Sequence, residues 1–329
     1  MPGPAETWRA SLAPLAGAAA ALAALTTRLA DAPEPLAAGW RARLAYREAA
    51  GWLALQGTWV HPTDLALRDA HLAGSYTAAT LGRRLPSVLP ATLAGEPAPA
   101  ASGGPPADAT VAQALALART WRRLGERGSW GNARDDRGRR DLLATLGEPD
   151  PDPAVPAAWQ AVLAAASDLP PLLAAAAAVP AWASPAPLAA GAVLLGAALW
   201  RDASGTRGLA LPLFAAPLTL LQRLAAAPPA AWTPTFLGAV TAAAEAGMQE
   251  FHRLRAAASR AAALPHTARA RLPAAVELAL RQPVLTRPML ARAIGVSPQA
   301  ALTLLDRLAA GGVLREATGR AAWRVFVVA

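Results

Sequence analysis

A chain of 329 residues that is 54% hydrophobic and 16% charged can bury a sizeable core, which excludes an intrinsically disordered or charge-dominated tail protein. It has no Cys, which excludes disulfides, thiolate zinc sites and cysteine catalysis, and its four His (61, 71, 252 and 266) lack metal-ligand spacing, so no metal or cofactor is expected. Every one of the 31 basic residues is Arg, and the net charge is +9.

Helical patterns dominate, and the fold class is read as mainly α. Residues 8–31 form an Ala/Leu helix that ends before Pro33 and Pro35. Residues 37–56 form a second, with Trp40, Leu44, Ala49 and Trp52 near a helical repeat. Pro62 opens a third over 65–72, capped by Thr63 or Asp64. Residues 96–108 (EPAPAASGGPPAD) are a linker. Helix resumes at 109–124, followed by a polar loop at 128–140 and a Pro-rich connection at 148–156. Further helices are expected at 157–167, 171–179, 188–200, 212–226 and 233–263. The expected domains are an N-terminal helical region (1–95), the linker, a helical domain (109–263) and a C-terminal domain (268–329). The uncharged stretches 10–27 and 169–200 are interrupted by Pro or Gly, and the Pro-free piece 188–200 is shorter than the ~20 apolar residues of a membrane span. Both are read as buried helices of a cytoplasmic protein without membrane association.

From residue 251 onward there are twelve Arg against Glu277, Asp306 and Glu316, so the whole excess of +9 sits in the last quarter. Such an excess attracts polyanions, nucleic acid or anionic membrane; a solvated basic surface is the plain alternative. In the same region, residues 272–280 form a short helix. Thr286 caps a second, with Pro288 in its first turn. Gly295 supplies a tight bend, Ser297 caps a third helix through Ala310, and residues 313–317 and 321–328 form a hairpin. The segment LARAIGVSPQAALTLLDRLAAGGVLRE resembles the winged helix-turn-helix of bacterial DNA-binding proteins. That resemblance implies a recognition helix in the major groove and a wing on phosphate. The DNA-facing candidates are Ser297, Gln299, Ala300, Thr303 and Arg307 on the third helix, Arg315, Thr318 and Arg320 around the wing, and Arg287. The first two turns of the recognition helix lack Arg, and Leu302 stands where relatives carry a small polar residue, so base readout rests on Gln299.

Residues 186–196 (APLAAGAVLLG) resemble the Fic motif H-P-F-x-x-G-N-G-R-x-G. Pro187, Gly191 and Gly196 match, and Leu188 replaces Phe. The catalytic His is Ala186, the Asn is Ala192, the second Gly is Val193 and the phosphate-holding Arg is Leu194. Residues 52–57 (WLALQG) resemble the inhibitory motif S/T-x-x-x-E-G/N, with Gln56 for the Glu and Gly57 kept. The segments REAAGWLALQGTWVHPTDLALRDA and RLPAAVELALRQPVLTRPMLARAIGVSPQAALTLLDRL resemble a bacterial, often rhizobial plasmid-encoded family of unknown function. That family joins a Fic-like helical bundle to a C-terminal helix-turn-helix. A short motif in an Ala-rich chain is also readable as an ordinary core helix.

Two functions of different class follow. The first is a DNA-binding regulator, nucleoid-associated when bound, whose catalytically inactive helical region dimerises or docks a protein partner; its partner is double-stranded DNA, and it acts as a homodimer. A scaffold that uses the winged helix for protein contacts is its variant. The second is a divergent nucleotidyl or phosphoryl transferase with its groups in residues 128–140. The Asp135, Asp136 and Arg cluster there also reads as a solvated surface loop.

Overall fold

The computed structural model describes residues 4–72, 108–126, 135–148, 151–182, 188–265, 271–318 and 324–329. Among these residues the chain is mainly α, with thirteen helices and one small sheet. The helices are α1 (Pro4–Ala30), α2 (Glu34–Leu55), α3 (Pro62–Asp69), α4 (Asp108–Gly125), α5 (Asp136–Leu146), α6 (Ala154–Ala165) and α7 (Pro171–Trp182), then α8 (Ala190–Ser204), α9 (Leu218–Ala225), α10 (Pro229–Ala262) and α11 (Leu272–Arg281). Strand β1 (Leu285–Thr286), helices α12 (Arg287–Ile294) and α13 (Pro298–Ala310), and strands β2 (Leu314–Glu316) and β3 (Val325–Val328) complete the chain.

The described residues fall into two compact units. The first draws on Met1–Asp31, Arg47–Trp59 and Pro106–Ala246, the second on Ala32–Tyr46, Val60–Pro105 and Gly247–Ala329. These units do not coincide with the four consecutive segments expected from the linker composition. Residues 96–107 of that linker lie outside the described residues.

In the first unit, α7 and α8 pack side by side, α6 covers α7, and α4 and α5 flank α8. Indole rings fill part of the core. Trp121 and Trp159 are buried, the Trp159 and Trp182 rings meet edge to face at 5.4 Å, and the Trp232 N–H donates to the Ala176 carbonyl at 2.7 Å. Helix α1 departs from expectation. Among its described side chains it buries Ser11 and a stripe of Ala18, Leu22, Leu25 and Leu29, and only 22% of its most apolar window is buried. It is the one described helix long and apolar enough to cross a membrane by length and composition.

Residues 212–217, expected to be helical, are not. Their amides have a different acceptor. The fully buried Glu48 carboxylate of α2 accepts from the N–H groups of Leu213, Phe214 and Ala215 at 2.8–3.2 Å. That capture competes with a helical turn, and α9 starts only after Pro217. Burial pushes the Glu48 carboxyl up to about 7, while the three amides and the Arg47 charge pull it down. The loop at 128–140 also differs. Residues 127–134 lie outside the described residues, and α5 begins at Asp136. Asp135 is its N-cap, accepting from Gly138 N–H at 2.6 Å, and Asp136 pairs with Arg139. The cap of α3 is neither Thr63 nor Asp64 but His61, whose Nδ1 accepts from Thr63 N–H at 3.1 Å.

Replacing Glu48 with Ala strands the amides of Leu213, Phe214 and Ala215, and the expected loss is about 3 kcal/mol in denaturant unfolding. A raised carboxyl pKa means that the folded state binds the proton more tightly than the unfolded one. The Glu48 contribution is therefore full below about pH 4.5 and shrinks as pH rises through about 7. The stability gap between wild type and E48A narrows over that range. A gap independent of pH would rule out this linkage.

Candidate nucleic-acid interface

The second unit holds the basic C-terminal region. Helices α11, α12 and α13 pack together, with Leu272, Leu290, Ala301, Leu305 and Leu308 in their shared core. Thr286 caps α12, its Oγ1 accepting from Met289 N–H at 3.4 Å, and Gly295 closes α12 at φ +65°. Ser297 caps α13, its Oγ accepting from Ala300 N–H at 3.2 Å, with Pro298 in the first turn. Strands β2 and β3 form the expected hairpin. A short third strand, β1, also pairs with β3, giving the order β1-β3-β2, all antiparallel. Two residues without alternation left no signal for β1.

On α13, buried Ala301, Leu305 and Leu308 define the inner face. Ser297, Gln299, Ala300, Thr303, Asp306 and Arg307 are exposed on the outer side, and Leu302 is half-buried. Thr303 Oγ1 donates back to the Gln299 carbonyl at 3.1 Å, which leaves the Gln299 amide as the long polar group at the helix start. Arg307 is exposed, but its guanidinium donates to the Pro265 carbonyl. Arg287 stands exposed at the first position of α12, where the positive end of the helix dipole adds to its charge. Arg292 in the last turn of α12 is exposed as well. In the sequence Arg292 is one of the twelve arginines after residue 251, and nothing in the pattern sets its direction. Neither Arg287 nor Arg292 forms an ion pair with a described residue.

Three wing candidates are placed differently. Thr318 does not face outward: it is buried, and its Oγ1 accepts from Val325 N–H at 3.2 Å, which pins the hairpin. Arg315 is half-buried, opposite Val327 in the register. Arg320 lies outside the described residues. A residue not singled out, Arg324, takes a larger part. It bridges Asp306 of α13 at 2.6 Å and Glu316 of β2 at 2.7 Å while lying over the Phe326 ring. Two of the region's carboxylates are thereby neutralised beside the outer side of α13.

The N-terminal segment of this unit supports the helices. Buried Arg43 of α2 donates to the carbonyls of Leu280 at 2.7 Å, Ala279 at 3.3 Å and Gln282 at 2.6 Å. These are the open carbonyls at the end of α11. Glu250 of α10 lies 3.7 Å away. Burial pulls the Arg43 guanidinium down to about 10, against the Glu250 charge. Gly39 permits this approach, because a Cβ there would collide with the Leu280 carbonyl oxygen.

The motif at 186–196 belongs to the first unit. Ala186 and Pro187 lie outside the described residues. Leu188, Ala192, Val193 and Leu194 are buried in or just before α8. Gly191 N–H donates to Glu148 Oε1 at 3.0 Å, so the anion position at this helix start is held by the chain's own carboxylate. A Cβ at Gly191 would collide with that carboxylate, and one at Gly196 would come within 2.6 Å of Val179 Cγ2. Both glycines are thus explained by packing. Gln56 and Gly57 are exposed at the end of α2. Gly57 has φ +77°, and the Gly57 and Thr58 amides donate to the Ala54 and Leu53 carbonyls, a helix-stop arrangement.

Two family models match parts of the chain. Residues 272–328 match the family described as HTH DNA binding domain. Residues 153–263 match the family described as protein of unknown function (DUF1612). No curated protein matches the chain.

Replacing Arg43 with Met leaves Glu250 without its closest buried partner and the α11 carbonyls without donors. An expected loss of about 3–5 kcal/mol should appear in chemical denaturation; an unchanged midpoint would show the cap to be idle. Replacing Arg324 with Ala removes two partly exposed ion pairs, about 1 kcal/mol in all. It also restores two negative charges beside α13, so DNA retention on a heparin or duplex column should fall more than stability does.

Proposed function

We propose that this chain is a DNA-binding regulator that enters the major groove with α13. The observation that carries this reading is the outer side of α13. Gln299, Ala300 and Thr303 are exposed there, the acids nearby are neutralised by Arg324, and α12 presents Arg287 and Arg292 without ion-pair partners among the described residues. Gln299 is the residue for base readout, since its amide pairs bidentately with adenine N6 and N7. The arginines supply phosphate attraction, which positions the helix and carries little sequence information.

The helical region acts without catalysis in this reading. The degenerate Fic-like stretch offers Ala in place of a proton acceptor, and Glu148 fills the place where a phosphate would sit at the start of α8. Its role is to dimerise the protein or dock a protein partner, in the cytoplasm, so that two winged helices meet two half-sites.

Purified full-length protein should bind duplex DNA with an affinity that falls linearly on a log–log plot against salt, with a slope of about −0.9 per phosphate contact. Replacing Gln299 with Ala should relax discrimination at one adenine by about 1–3 kcal/mol and leave the salt slope unchanged. No duplex binding at low salt would sink the proposal.

A further inference from the structure

Within the second unit, the C-terminal end of α13 is seated on the end of α10 and the residues just after it. Arg260 of α10 donates from Nε to the Gly312 carbonyl at 2.6 Å and from Nη2 to the Ala329 carbonyl at 3.3 Å. Gly311 makes room for Leu264, since a Cβ there would come within 2.7 Å of Leu264 Cδ2. Arg307 of α13 donates to the Pro265 carbonyl. The Ala329 N–H donates in turn to the Val313 carbonyl at 3.1 Å, so the Arg260 fork closes where the end of α13 meets the end of β3. Residues 260–265 all precede the matched helix-turn-helix region, which begins at 272.

These contacts fix a direction that the core leaves open. The inner stripe of α13, Ala301, Leu305 and Leu308, is apolar, and apolar burial has no preferred direction. The Ser297 cap is local to the start of the helix. Gln299 lies thirteen residues before Gly312. That is about 20 Å along the axis, so a tilt of about 10° at the seated end displaces the Gln299 amide by about 3 Å. Such a shift is as long as the hydrogen bonds that base readout requires. Attraction to phosphate is longer-ranged and tolerates it.

We propose that Arg260 is a positioning residue for DNA reading: it sets the tilt of α13, and the last turns of α10 are a working part of the DNA-binding module. This rests on α13 as the reading helix. Arg260 is half-buried and holds both carbonyls through one planar fork, a geometry that lysine does not reproduce. Removing the fork costs base discrimination and leaves the number of phosphate contacts as it was.

Two measurements on the full chain test this. The first needs no DNA. The chain has no Cys, so nitroxide labels can be attached at R255C on α10 and Q299C on α13, both exposed positions. Electron spin resonance should give a narrow distance distribution between the labels, and adding R260M or R260K should broaden it. The second compares, in proteins without the labels, the duplex that wild type enriches most from a random pool with the pool itself. R260M and R260K should each lose about tenfold of that preference, the worth of one hydrogen bond to a charged group, with the salt slope unchanged. Both variants are first checked for a wild-type circular dichroism spectrum. Should R260M fail that check, R260K decides alone, because lysine keeps the charge and stem without the fork. An unchanged distance distribution or an unchanged preference overturns the proposal. Rescue by lysine, or a slope shallower by about 0.9 in R260M, would make Arg260 a phosphate contact and overturn it too. A wild type that enriches no duplex would defeat the reading of α13, whereas the label distances still decide whether Arg260 sets its tilt.

Discussion

A buried guanidinium must find acceptors for its N–H groups, and Arg43 finds them where α11 has run out of its own donors. Helix ends leave carbonyls without partners, and here three of them converge on one side chain supplied from more than two hundred residues away. The C-terminal helices are consequently not an appendage folded on their own account. Their first helix is capped from α2, their wing is held from α10 by Arg260, and Gly39 leaves room for the close approach. The surface offered to a polyanion inherits its order from these ties.

The same economy governs the charges around α13. Its outer side carries Asp306, and the adjoining strand carries Glu316; left alone, both would repel a phosphate backbone. Arg324 neutralises the pair and lies on Phe326 while doing so. What remains for a ligand is a modest polar surface, with Gln299 as its one long amide and arginines on the preceding helix. In the proposed reading, affinity comes mainly from phosphate, with narrow base discrimination.

The first unit shows a buried charge used differently. Glu48 holds a non-helical segment by its backbone amides, and the cost of desolvation is visible in its raised pKa. Glu148 does a comparable thing at the start of α8. In both places a carboxylate of the chain accepts from backbone N–H groups, three at Glu48 and one at Glu148. Gly191 and Gly196 are packing residues, since a Cβ would meet Glu148 at the first and Val179 at the second.

Most helices were legible from apolar spacing and from Pro and Gly punctuation, and the helix-turn-helix was legible because Thr286, Gly295, Ser297 and Pro298 each serve a local role at a fixed offset. Local chemistry alone therefore determined the caps, the turn and the inner stripe of α13. Tertiary structure decided the rest. Residues 212–217 left the helical state because Glu48 took their amides, and Thr318 turned inward because Val325 offered a donor. Arg43 acquired its acceptors from the end of α11, more than two hundred residues away. A residue's helical tendency is set within a few positions of itself, whereas the partner of a charge is set by which distant segments the packed core brings beside it.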